Sequence, residues 1–277
     1  MNFADIQYIF NRAFQHTLDL RKNIFVFIVL ALCGLLVVFF RGLGVNASQW
    51  LLLSLTFLPI FLCAGILFSL GIVLIRIYHD EIKNKEITYK KIIKDSWEIL
   101  IGSSYFSLPI VLGYLLLWVV LGLFVLLKQI PGLGEFFGVI LAFAPFLINF
   151  ISLVLCILSL SLLFFAAPVI ALKGLNRIKV TETLIKRLKF DVFSNLFLAG
   201  LGTFPLLFIL SLLILAALLT GSVYQNNASS ISDVLEWFFI MIPFTAILTP
   251  AIVFFFNFAA ESHVLLMKKI KETENKV

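Results

Sequence analysis

The sequence predicts an all-α fold: a polytopic membrane bundle of six transmembrane helices with amphipathic helices lying at the interface. Three observations predict it. First, the 277-residue chain is 62% hydrophobic and only 13% charged, with a mean hydropathy of +1.11. An ordinary soluble domain is about 45–50% apolar and about 25% charged, so this chain has too little polar side chain to cover itself in water. Second, the apolar residues gather in runs that match the about 17–25 residues needed to cross hydrocarbon. Third, the basic residues fall on alternate sides of those runs.

Five runs qualify directly: 24–40, 50–75, 105–127, 196–219 and 234–260. The region 136–172 holds 37 residues without a formal charge, too few for two spans and a turn. As a single straight helix it would be about 55 Å long. It therefore reads as one span, 148–172, preceded by a short helix or partly inserted segment at 136–146. Pro145 ahead of Asn149 marks the break. The first residues do not read as a cleaved signal peptide, because Arg12, Arg21 and Lys22 come late and no small-x-small site follows the run. Instead Ile6, Ile9, Phe10, Ala13, Phe14 and Leu18 recur at helical spacing, as in a helix lying on the membrane surface.

Two further segments carry the same pattern. In one, Tyr89, Ile92, Ile93, Trp97, Leu100 and Ile101 share a face, away from Lys90, Lys91, Lys94, Asp95 and Glu98. In the other, Val180, Leu184, Leu188 and Val192 share a face, with Thr181 as the expected cap. At a fixed offset of 96 residues, Lys83, Glu86, Lys90, Lys91, Asp95, Leu100 and Pro109 meet Lys179, Glu182, Lys186, Arg187, Asp191, Leu196 and Pro205. The chain accordingly reads as one integral membrane domain, 1–277. Within it lie three parallel units of a surface helix and two spans, at 1–75, 76–172 and 173–260, followed by a tail at 261–277.

Segments 1–23, 76–104, 173–195 and 261–277 hold 19 of the 21 Lys and Arg residues, leaving Arg41 and Lys128 for the other side. This asymmetry predicts cytoplasmic termini. With 12 acidic residues on the same side, the inner face carries a net +7. Anionic lipid headgroups are the expected partner there, at Lys90, Lys91, Lys186 and Arg187, worth about 1 kcal/mol per basic residue near the surface. Nucleic acid is not expected, since the membrane rule already explains the cations. Two Asn-x-Ser triplets, Asn46-Ala47-Ser48 and Asn227-Ala228-Ser229, fall in the expected outer loops and are common by chance.

The segment LFFAAPVIALKGLNRIKVTETLIKRLKFDVFSNLFLAGL, 163–201, resembles a signature of several loosely related bacterial six-helix membrane families. One of these is the membrane domain attached to some glycerophosphodiester phosphodiesterases. A span ending in Ala167-Pro168-Val169-Ile170, a short turn, and the amphipathic stretch 184–195 occupy the characteristic places. Many relatives have an acidic residue in the turn, where this chain has Ala171-Leu172-Lys173-Gly174. The resemblance implies a bacterial inner-membrane protein and brings no activity with it.

No span carries a mid-membrane acidic residue, which argues against a proton relay or a carboxylate cation site. Phosphate-loop, zinc-helix and nucleophile-elbow motifs are absent from the sequence, and no cofactor is expected. Cys33, Cys63 and Cys156 lie in apolar runs and read as packing residues. One constellation holds potential chemistry. His79, Asp80 and Glu81 end span two, while Glu261 and His263 end span six, and together they would suit a metal ion or acid–base work if those spans were neighbours. Hydrated juxtamembrane side chains are the plainer reading. Pro243, Thr245, Thr249, Pro250 and Asn149 are candidates for a cavity or hinge, against simple kinking and interhelical packing. Gly65-x-x-x-Ser69 and Ala217-x-x-x-Gly221 read as close helix contacts.

Three functions follow in order. The first is an accessory protein organising membrane proteins or lipids, with a membrane-protein partner or a second copy of itself. The second is a carrier or flippase for a neutral or lipid-like substrate, using Pro-kinked helices with serine and asparagine linings, which requires a polar-lined cavity at mid-membrane. The third is an interfacial enzyme using His79 and His263.

Overall fold

Apolar side chains at every helical register leave lipid-facing segments no structure but the helix, because each backbone N–H and C=O must be satisfied internally. The computed structural model describes residues 3–44, 47, 49–85, 89–104, 107–132, 134–174, 176–220 and 231–275. Ten α-helices follow one another among them: α1 (Phe3–Gln15), α2 (Leu20–Leu43), α3 (Gln49–Ile82), α4 (Tyr89–Ser104), α5 (Leu108–Lys128), α6 (Gly134–Ile140), α7 (Ala144–Lys173), α8 (Arg177–Phe190), α9 (Val192–Leu219) and α10 (Ile231–Glu274). Six of these helical segments are long and apolar enough to cross a membrane.

Local chemistry sets the boundaries. Asp19 caps α2 by accepting from the Arg21 amide. Asn176 and Asp191 do the same for α8 and α9, through the amides of Lys179 and Ser194, each cap worth about 1 kcal/mol. Thr181, expected as the α8 cap, lies inside that helix instead, because Asn176 sits at the turn and takes the role. Region 136–172 resolves into α6, a 3₁₀ turn at Leu141–Phe143, and α7. Pro145 stands in the first turn of α7, where its missing N–H leaves no bond unmade. Pro59, Pro168, Pro205, Pro243 and Pro250 lie inside long helices that continue through them.

Helices α3, α7 and α10 pack on one another and form the centre. Around them α2 packs against α10 and α3, α5 against α3 and α7, and α9 against α10. The centre closes tightly near one end. There a Cβ on Gly71 of α3 would stand 2.1 Å from the Phe256 ring of α10, so only glycine permits the approach. A Cβ on Gly202 of α9 would likewise fall 2.7 and 2.8 Å from Phe258 and Phe164. The core follows from these approaches: Ile72, Leu74 and Ile75 meet Ala167, Val169 and Ile170 and the run Val253–Ala260, all nearly inaccessible.

The short helices α1, α4 and α8 join this end, which the basic residues mark as the basic end. Helix α1 packs on α10, α4 on α3, and α8 on α7 and α10. Helices α1 and α8 each precede two long helices, whereas α5 and α7, which follow α4, have the short α6 between them. The residue pairs at the 96-residue offset fall at unlike places. Asp95 lies within α4 whereas Asp191 caps α9, and Pro109 opens α5 whereas Pro205 is deep in α9. Within α1, Ile9 and Ala13 are buried, and Phe10 packs edge-on against Phe254 and Phe258 at 5.1 and 6.1 Å. Its apolar face is therefore largely spent on protein. On α4, Ser96 is buried while Trp97 and Ile101 stay exposed.

Candidate functional site: an ion-paired end and an apolar cavity

At the basic end, polar side chains fasten α1 and the start of α2 to the centre. The Tyr78 hydroxyl donates to Glu261 Oε1 at 2.7 Å, so spans two and six are neighbours here, and Arg12 Nε lies 3.4 Å from the same oxygen. Glu81 pairs with Lys22, which is fully buried, and lies 3.4 Å from His16 Nδ1. Lys22 Nζ also donates to the His16 carbonyl at 3.2 Å and sits over the Tyr78 ring at 5.7 Å. Asn257 of α10 reaches the carbonyls of Ala13 and His16, both at 3.4 Å, and so covers the open end of α1.

The five residues considered for metal or acid–base work divide among three places. Glu81 and Glu261 enter this network and are engaged by cations. His79 and Asp80 are half-buried and contribute no bond to it among the described residues. His263 is buried elsewhere, with Nδ1 3.5 Å from Arg187 Nη1. No three His, Cys, Asp or Glu among the described residues are grouped to hold a metal ion. The spans do meet, yet the carboxylates are used to hold helices.

Arg187 overturns its assignment to lipid headgroups, because its guanidinium has no solvent-accessible surface. It donates to Asn195 Oδ1 at 2.8 Å and lies over Phe165 and Phe164 at 5.0 and 5.7 Å. Burial pushes its pKa down to about 9. The cause is spacing: Val180, Thr183 and Arg187 form the inward stripe of α8, and Leu188 and Val192 turn outward. Lys186, one residue earlier, is exposed and reaches Glu274 at 3.4 Å. Lys91 is exposed too. The Lys90 side chain and both Asn-x-Ser triplets lie outside the described residues, apart from Ala47.

Toward the opposite end the centre opens. Helices α2, α3, α7, α9 and α10 line a partly open cavity of about 690 Å³. Leu30, Leu163 and Ile252 form its floor, where the packed core begins, and Arg41, Ala217 and Trp237 stand at its mouth. From Trp237 to Ile252 along α10 is about 22 Å at the helical rise. The gap follows from α9, which meets α7 through Gly202 near the basic end and packs little against it beyond. All three cysteines line the walls: Cys33 from α2, Cys63 from α3 and Cys156 from α7.

The walls are nearly all hydrocarbon, not the serine- and asparagine-lined surface expected of a carrier, and Arg41 is the one charged residue among them. Its guanidinium lies 3.9 Å above the Trp237 ring. Of the residues proposed for a cavity, Thr245 is on its wall, with its hydroxyl returned to the carbonyls of Met241 and Ile242. Thr249 is buried and bonds the Thr245 carbonyl at 2.8 Å. Pro243 is exposed on another face of α10, and Pro250 and Asn149 are half-buried away from the cavity. The residues that build the site, Arg41 and Trp237 above all, were missed. The available signal was that Arg41 stands among the few cations off the basic side.

Comparison with known proteins gives no match among family models, curated proteins or solved structures.

Proposed function

We propose that this chain takes the acyl chain of a lipid-like amphiphile into the cavity, as the binding step of a lipid carrier or flippase. The sequence ranks an accessory role first; the cavity moves the lipid-like ligand ahead of it. The carrying observation is the volume of about 690 Å³ walled by aliphatic and aromatic side chains, within the about 300–1,000 Å³ usual for ligand sites. Apolar walls with nothing against them forfeit packing contacts. Water is a poor filler of an apolar void. An acyl chain regains the contacts, and the depth of about 22 Å exceeds half of a hydrocarbon core about 30 Å thick.

The closed end complements the open one. Beneath Leu30, Leu163 and Ile252 lie the packed core and the Arg12–Glu261–Tyr78 and Lys22–Glu81 contacts, and on this reading the cavity is entered from the half away from the basic face. With the positive face cytoplasmic, in a bacterial inner membrane, that half belongs to the outer leaflet. Transfer would require the ion-paired end to part.

The test is retention of lipid through purification in a mild detergent, read by native mass spectrometry. The wild-type chain is expected to carry one lipid, and the double variant Ala64→Phe/Cys156→Phe, which fills the walls from α3 and α7, to carry none. Lys186→Ala should behave as wild type. A folded double variant with wild-type lipid content would refute the reading.

A further inference from the structure

Arg41 is out of place by the rule that governs the other cations. Nineteen of the 21 Lys and Arg residues lie in the basic segments, and Arg41 is one of two that do not. A helix C-terminus favours a cation, and tryptophan favours the interface. Those tendencies explain their presence near a membrane surface, but not their joint position at the mouth of an apolar cavity. No carboxylate pairs with Arg41 among the described residues; Glu236, beside Trp237, is exposed and makes no ion pair with it. Trp237 is 8% exposed, and its indole N–H finds no acceptor among the described residues. One cation and one unused donor therefore stand above a hydrocarbon slot that offers no other charge.

We infer that Arg41 and Trp237 form a headgroup subsite, so that the cavity selects a phosphate-bearing anionic lipid over a zwitterionic one. The inference rests on the acyl-chain reading of the cavity. Guanidinium is suited to the task, because its planar fork pairs with phosphate oxygens in two places while its face remains stacked on the indole. The tail supplies most of the affinity, at about 0.8 kcal/mol per buried methylene, and the headgroup supplies the choice. A zwitterionic lipid brings its own cation to the same place and loses that advantage.

The experiment measures retention of phosphatidylglycerol and phosphatidylcholine with identical acyl chains, supplied in equal amounts to the delipidated full-length protein and counted by native mass spectrometry. The wild type is expected to prefer phosphatidylglycerol at one tight site by about tenfold, the equivalent of one charge-assisted contact. Arg41→Gln should erase that preference yet still retain one lipid, and Arg41→Lys should restore part of it. Trp237→Phe should weaken the preference while leaving the stack on the ring. Cations at the basic end also attract anionic lipid, and Lys91→Gln/Lys186→Gln removes that contribution without touching the tight site. Equal retention of both lipids by the wild type, or an unchanged preference in Arg41→Gln, overturns the headgroup assignment and leaves the cavity reading standing. Loss of the lipid-filled cavity itself would show in Ala64→Phe/Cys156→Phe, whatever happens at Arg41.

Discussion

Arg187 carries a guanidinium out of water with no carboxylate against it among the described residues, so its charge contributes little to holding α8 in place. Its bulk does more, filling the space between Phe164, Phe165, Asn195 and His263. Replacing a buried charge by an apolar side chain of similar length is often neutral or stabilising, whereas deleting the volume leaves a hole. Arg187→Met should therefore unfold within about 1 kcal/mol of wild type, and Arg187→Ala should lose about 2–4 kcal/mol. Lys186→Ala, which breaks only an exposed pair with Glu274, should cost less than about 0.5 kcal/mol. Thermal unfolding in detergent reads all three, and equal losses for Lys186→Ala and Arg187→Ala would contradict this placement. The sequence treats Lys186 and Arg187 alike because charge reports a preference for solvent, while a turn of 100° decides which one receives it. The same limit hid Trp237: nothing in its neighbours along the chain announces that α2 will bring Arg41 over its ring.

At the level of elements, hydropathy and charge were enough. The six long helices and the short helices α1, α4, α6 and α8 are legible in the residues as helices, because the bilayer tolerates few backbone solutions. What could not be read was the pairing of helices. Spans are apolar all round, so periodicity does not say which face meets which neighbour; the decisive contacts are at glycines such as Gly71 and Gly202. Gly65 does approach Ser107, the residue just before α5, where a Cβ would lie 2.7 Å from the hydroxyl, as the small-residue spacing suggested. The binding of α1 was equally hidden, since Lys22 and Glu81 are far apart in the chain. Lys22 is wholly buried, so Glu81→Leu leaves a cation without its carboxylate, at about 3–5 kcal/mol. Hydrogen exchange should then show residues 3–23 losing protection by at least tenfold, with the far half of α10 unchanged. Unaltered protection of that segment would mean that its apolar contacts with Phe254 and Phe258 suffice.

Across the whole molecule, one end is dense, ion-paired and basic, and the other holds a hydrocarbon slot beneath a single guanidinium. This asymmetry is the central claim, and it depends on a lipid tail occupying the space among α2, α3, α7, α9 and α10. The most direct measurement uses a variant with Trp237 as its only tryptophan, Trp50, Trp97 and Trp118 being replaced by phenylalanine, reconstituted in lipids brominated midway along their chains. Bromine quenches indole fluorescence at short range. The account predicts strong quenching of Trp237, relieved when Ala64→Phe/Cys156→Phe fills the cavity below it. Quenching no different with the cavity open or filled would contradict it.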